Sequence, residues 1–187
     1  MRGRLIALLS VAALGIGGCG DDEGGDAGLV PAIPAETPTE TATPPATSTT
    51  GRPFRVASIE VSKDTSKKPT ITKPSGDPPT ELVTKDIVVG KGAAAKNGDQ
   101  LEMHYLGAHF TGEQFESSWD EGDPFALTLG EGMVIPGWDQ GIVGMKEGGR
   151  RLLVIPPDLA YADQGQGDIQ PGETLIFVVD VVKRTTG

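Results

Sequence analysis

The sequence predicts an α+β fold: an antiparallel sheet of about five strands wrapped around one short helix and preceded by a disordered linker. Two skewed distributions and one change of pattern predict it. Of the nine Phe, Trp and Tyr residues only Phe54 precedes residue 100, and the other eight lie between Tyr105 and Phe177. Prolines lean the other way, with ten of fifteen between Pro31 and Pro79. From residue 81 onward the chain breaks into short apolar runs separated by glycine and proline, which are strand and turn signals.

The runs justify the elements in order. Leu82–Val89 is a predicted strand closed by the turn Gly90-Lys91-Gly92. Gln100–Phe110 alternates, with Leu101, Met103 and Tyr105 on one face, as a half-buried antiparallel strand does. Phe125–Leu129 is a short strand ended by Gly130, and Arg151–Ile155 is an apolar one stopped by Pro156-Pro157. Thr174–Val182 is apolar on both faces, which places it centrally in the sheet. The one helix opens at Pro136, where a missing N–H costs nothing, and carries Trp138, Ile142 and Met145 as a single stripe, with Gly144, Gly148 and Gly149 ending it. These elements make a folded domain over residues 80–187.

The N-terminus has a different logic. Arg2 and Arg4 precede an apolar stretch from Leu5 to Ile16, too short to cross a bilayer core of about 30 Å and matched to the apolar region of a signal peptide. Gly17 and Gly18 then lead into Cys19, the only cysteine, and the chain turns polar at Asp21, Asp22 and Glu23. The segment Ile16-Gly17-Gly18-Cys19 resembles the lipobox of bacterial lipoproteins, which implies cleavage after residue 18 and acylation of the Cys19 thiol with diacylglycerol. An extracytoplasmic, membrane-anchored protein is therefore expected, with 1–18 as signal peptide and 19–79 as a disordered Pro/Thr-rich tether. A coil of about sixty residues would span roughly 40–45 Å. Within the tether, Phe54–Val61 has partial alternation; it could add a strand to the domain, but an extended linker is the reading adopted, and Thr70–Pro74 could pack loosely.

Several function classes are excluded or disfavoured. A formal net charge of −10 argues against nucleic acid, whose phosphates need a basic patch. One cysteine allows neither an intramolecular disulfide nor a cysteine metal site. His104 and His109, five apart on one strand, are expected to be held by packing and hydrogen bonds, and no metal or cofactor is expected. The chain has no GxSxG, HExxH or GxxxxGK[ST] motif. Asp120, Glu121 and Asp123 read as a solvated loop, and no nucleophile–base pair announces itself.

What the domain offers instead is a set of large apolar residues at element junctions. In order these are His104-Tyr105-Leu106-Gly107, Phe115-Glu116-Ser117-Ser118, Pro124-Phe125, Val134-Ile135-Pro136-Gly137-Trp138, Ile155-Pro156-Pro157-Asp158-Leu159-Ala160-Tyr161 and Pro171–Phe177. This succession closely resembles the FKBP family of peptidyl-prolyl cis–trans isomerases over about residues 80–184. The resemblance implies a half-barrel sheet around the short helix, with a shallow apolar pocket between them. Trp138 would be its floor, Tyr105, Phe115, Phe125 and Phe177 its walls, and Val134 and Ile135 one rim. The Ile135 N–H and the Tyr161 hydroxyl would bond substrate carbonyls, Glu116 would support the polar edge, and Ile169 would belong to the loop over the site.

The implied partners are X-Pro segments of unfolded or partly folded proteins, with a macrolide as the implied inhibitor class and a monomer as the working state. The alternative is a binding module that holds proline segments as a chaperone with little turnover. A solute-binding lipoprotein is disfavoured, because one small domain has no cleft between lobes. The chain departs from the family in having Glu116 for the usual Asp, Ala162 for Gly, Gln170 for Pro, a loop after Tyr161 that is about one residue shorter, and its own residues at Met133 and Glu121. Those departures bear on macrolide affinity and sequence preference.

Overall fold

A computed structural model of the protein describes residues 54–187; the signal segment, Cys19 and residues 20–53 lie outside the described residues. The sheet has six antiparallel strands: β1 Val83–Val88, β2 Gln100–His109, β3 Gln114–Ser117, β4 Phe125–Thr128, β5 Arg150–Ile155 and β6 Leu175–Thr185. The spatial order is β1-β5-β6-β2, with β3 and β4 both on the far edge of β2. There β3 pairs with Leu106–Ala108 and β4 with Gln100–Met103. The five strands expected from the sequence are therefore present; the sixth, β3, was not expected, and it shares the far edge of β2 with β4, the chain being interrupted between them.

A four-residue helix, α1 (Ser118–Glu121), makes the interruption. The Ser117 hydroxyl accepts the Trp119 N–H at its start, and Gly122 ends it at φ 92°, a left-handed backbone natural to glycine. The main helix, α2 (Pro136–Ile142), has Pro136 in its first turn as expected but is shorter than its apolar stripe suggested. It stops at Ile142, and Met145 is buried from the following turn, whose N–H bonds back to Ile142. Gly137 and Gly141 set the helix close to the sheet: a Cβ on Gly137 would drive into the Ile155 side chain, and one on Gly141 would lie 2.8 Å from Leu153 Cδ2. Helix and inner sheet face enclose one core that includes Leu101, Met103, Ile142, Leu153, Ile155 and Val179.

The expected boundary at residue 80 is corrected by a second core on the outer face. Ile59 is fully buried there against Leu106, Ala108, Leu152, Val154, Ile176 and Val178, with Phe54, Val56, Val61 and Ile71 packed around it. Residues 54–75 are thus neither a free linker nor an added sheet strand but a strap. It contains a 3-10 turn at Val56–Ser58 and a loose hairpin closed by a Val61–Ile71 bridge and by bonds from Thr72 N to Glu60 O (3.1 Å) and Ser62 N to Thr70 O (3.2 Å). The physical reason is that β6, lying between β5 and β2, is apolar on both faces, and its outer face needs a cover. Burying Ile59 alone contributes about 1.5–3 kcal/mol.

Candidate active site

Trp138 on α2 is the hub of the site, and its indole is 4% exposed. Three rings stand around it nearly edge-on: Tyr105 on β2 at 5.2 Å and 76°, Phe177 on β6 at 5.3 Å and 88°, and Phe125 on β4 at 6.1 Å and 79°. Phe115 on β3 extends the row from Phe177, centroids 5.8 Å apart at 85°. Upright rings around a flat one make a basin rather than a stack, a favourable geometry for aromatic quadrupoles.

The rest of the set closes on the same place. Val134, Ile135 and Tyr161 pack against this cluster, and Ile169 is buried within it. The structure therefore brings together nine of the ten residues that the resemblance singled out as one apolar group. The tenth, Glu116, is half-buried beside it on β3, close enough to the Tyr105 phenol for each to shift the other's titration. Cys19, the proposed lipid site, lies outside the described residues.

Each side chain is held by a local device. The Ser118 hydroxyl accepts the Tyr105 N–H at 2.9 Å, and the Ser117 hydroxyl donates to the Tyr105 carbonyl at 3.1 Å, so α1 is stitched to β2 just behind the wall. The rim loop is pinned by Asp139, whose carboxylate accepts the N–H groups of Gly130 (2.9 Å) and Gly132 (3.1 Å). Ile135 caps α2 with its carbonyl, bonded by the Trp138 N–H at 2.9 Å, while its own N–H finds no acceptor among the described residues. Tyr161 follows the 3-10 turn Pro157–Leu159, and the chain then passes through Ala162 at φ 47°, the one non-glycine residue with positive φ among those described. The Ala162 backbone is strained there in a way that glycine would not be.

The site is apolar in its lining and acidic in its nearby charges. Burial, and then the charge of Glu116, hold both phenols well above their ordinary value, so Tyr105 and Tyr161 are hydrogen-bond donors at neutral pH. Burial also raises the Glu116 carboxyl, opposed by its bond from Tyr105 and helped by the charge of Glu121. The Ser–His contact nearby does not present a nucleophile. Ser118 Oγ lies 3.1 Å from His104 Nδ1, but Ser118 is 1% exposed and the His104 ring is stacked on Trp119 at 4.2 Å.

Sequence reasoning missed three contributors. Gly107 on β2 faces the wall, and a Cβ there would lie 2.7 Å from Phe115 Cζ and 2.9 Å from Phe177 Cε1. Its place in the motif beside Tyr105 was the available signal. His109 and Glu173 meet at 2.8 Å across the rim, a contact between residues 64 apart that no local pattern announces.

Comparison with known proteins accords with this architecture. Residues 91–182 match the family profile for FKBP-type peptidyl-prolyl cis–trans isomerases. The chain is 53% identical over 119 residues to an FK506-binding protein of Streptomyces anulatus, covering 62% of this chain and 96% of that one. It is 48% identical over 117 residues to a probable FK506-binding protein of Corynebacterium glutamicum, covering 62% and 98% respectively. Among solved structures, the crystal structure of AtFKBP13 superposes with a TM-score of 0.53 at 38% identity, covering 58% of this chain and 96% of that chain. An edge-on aromatic basin on a half-barrel sheet, and relatives matched along nearly their whole length, lead to one conclusion: the chain belongs to the FKBP-type peptidyl-prolyl cis–trans isomerase family.

Proposed function

We propose that this isomerase serves the folding of exported proteins at the outer face of the cytoplasmic membrane, held there as a monomer by a lipid on Cys19. The lipobox-like sequence before Cys19 supports the anchor, and two or more acyl chains would hold far better than one, at about 0.8 kcal/mol per buried CH₂. Residues 20–53 would be the tether that carries the domain away from the bilayer.

In the pocket, the proline ring rests on Trp138 between Tyr105, Phe115, Phe125 and Phe177, with Val134 and Ile135 along one rim and Ile169 above. The free Ile135 N–H bonds a substrate carbonyl, and the Tyr161 hydroxyl bonds another. Twisting an X-Pro bond costs about 18–20 kcal/mol because amide resonance is lost. The planar amide has more charge separation than the twisted one, so a water-poor basin penalises the ground state more. Bonds made by flanking residues can then be stronger in the twisted form. A reduction of about 5–7 kcal/mol would accelerate rotation roughly 10⁴–10⁵-fold. No proton transfer or covalent step is needed.

The observation that carries this reading is the convergence of Tyr105, Phe125 and Phe177 on the Trp138 indole. Because the two bacterial relatives are named for FK506, the same basin is proposed to take such a macrolide, with Glu116, Glu121 and Met133 altering its rim. The test is protease-coupled isomerisation of short X-Pro-Phe peptides by the purified protein. Activity that disappears in Trp138→Ala combined with Tyr161→Phe supports the enzyme. Suppressed client aggregation without any rate enhancement would instead favour a proline-binding chaperone. Radioactive palmitate incorporated by the wild type and absent from Cys19→Ala tests the anchor.

A further inference from the structure

His109, the last residue of β2, touches two parts of the pocket at once. Its ring packs edge-on against the Phe115 wall, centroids 5.2 Å apart at 62°. Its Nδ1 lies 2.8 Å from Glu173 Oε1, with the two side chains only 16% and 18% exposed. An ionised carboxylate only accepts, so Nδ1 carries the proton and donates, which it can do in either charge state of the ring. The second oxygen of Glu173 accepts the Gln170 N–H at 2.9 Å. One carboxylate thus joins the end of β2 to the loop over the site.

That loop is well closed but poorly attached. Gly172 N bonds Ala162 O at 2.8 Å across its base, while Gln166 N to Ile169 O (3.0 Å) and Ile169 N to Gln166 O (2.9 Å) brace its tip. These bonds are internal, and those from Ala162 N to Pro157 O (2.9 Å) and from Gln164 N and Gly165 N to Tyr161 O (3.2 Å each) reach only the preceding turn, so none of them fastens the loop to the wall. Gly165, Gly167 and Gly172 hold positive φ of 65°, 58° and 71°, and glycine is costly to immobilise. Apart from Ile169, which is buried among the pocket residues, the fastening to the wall is the His109–Glu173–Gln170 chain.

We propose that His109 and Glu173 are positioning residues that latch the 162–172 loop to the Phe115 wall and so fix Ile169 and Tyr161 over the proline site. The proposal rests on the isomerase reading of the pocket. A preformed loop spares the substrate the cost of ordering it, so the latch acts on KM more than on kcat.

The test uses the full chain with five proteins: wild type, Glu173→Ala, Glu173→Gln, His109→Phe and His109→Asn. His109→Phe keeps a ring against Phe115 and loses the donor; His109→Asn keeps a donor near the Nδ1 position and loses the ring. Peptide isomerisation and hydrogen exchange at the 165–170 amides are measured on each. Glu173→Ala and His109→Phe are expected to lose loop protection and to drop about tenfold in kcat/KM, mostly through KM. His109→Asn is expected to recover most of both, and Glu173→Gln, whose one amide oxygen replaces two acceptors, only part. Should Glu173→Ala not fold, the two His109 variants carry the comparison alone. Wild-type kinetics in His109→Phe, or a loosened loop with unchanged kinetics, would overturn the latch while leaving the pocket reading intact. An inactive wild type would remove that reading and the latch with it.

Discussion

Arg150 on β5 grips Asp180 on β6 through two hydrogen bonds, Nε to Oδ1 at 2.6 Å and Nη2 to Oδ2 at 2.8 Å, with both side chains buried. The outer side of the same guanidinium donates to the carbonyls of Ser62 and Lys67, each at 2.8 Å. One planar fork therefore satisfies a buried carboxylate and fastens the strap, which lysine could not do.

Removing one partner strands the other. Asp180→Leu leaves Arg150 without its buried counter-charge and is expected to cost about 3–5 kcal/mol, whereas Arg150→Met combined with Asp180→Leu should cost less than either single change. Urea unfolding of the four proteins checks this. Deleting the chain up to residue 79 should lower stability similarly, because Arg150 loses two acceptors and the outer core loses Ile59.

Gly107→Ala is expected to damage activity more than stability. The new methyl would meet Phe115 and Phe177 at 2.7 and 2.9 Å, so both rings must turn. Overpacking of this kind costs about 1–3 kcal/mol. With two walls displaced, kcat/KM should fall about tenfold or more, a comparison that thermal unfolding and the peptide assay make together.

How much of this was legible in the sequence follows from range. Alternation in Gln100–Phe110 gave the inward face of Leu101, Met103 and Tyr105, and the proline-led stripe gave α2, because both are local periodicities. The nine residues that gather as one apolar group were legible through motif order rather than through any single local pattern. The strap was misread because Phe54–Val61 is weakly patterned alone; the useful signal lay far away, in a β6 strand apolar on both faces with nothing yet assigned to cover one of them. The Lys68–Asp120 contact at 2.6 Å and the His109–Glu173 contact at 2.8 Å join residues 52 and 64 apart, and no spacing rule connects them.

Glu116 should make stability fall with pH across its own titration. Burial raises its carboxyl in the folded state above the ordinary value of 4.5, so its favourable contribution is complete below that value and is lost as pH rises through the folded one. Glu116→Gln keeps an acceptor for Tyr105 without the charge. It should melt higher than wild type at pH 7, and the difference should vanish below about pH 4.

Charge around the pocket predicts a substrate preference. No Lys or Arg occurs from Thr111 to Met145 or from Leu152 to Val182, the segments that build the pocket face, while Glu113, Glu121, Asp123, Glu131, Asp158 and Asp168 are exposed there. Peptides with Lys before proline should be turned over about three- to tenfold better than those with Glu at low salt, a gap that closes at high salt. Glu121→Lys should narrow it.

The central claim is that an apolar basin rotates the amide bond without moving a proton. The most direct measurement is the pH profile of kcat/KM between pH 6 and 8 on a peptide lacking ionisable side chains. A profile flat within about twofold is predicted; a steep bell, marking an acid and a base at work, would contradict the account.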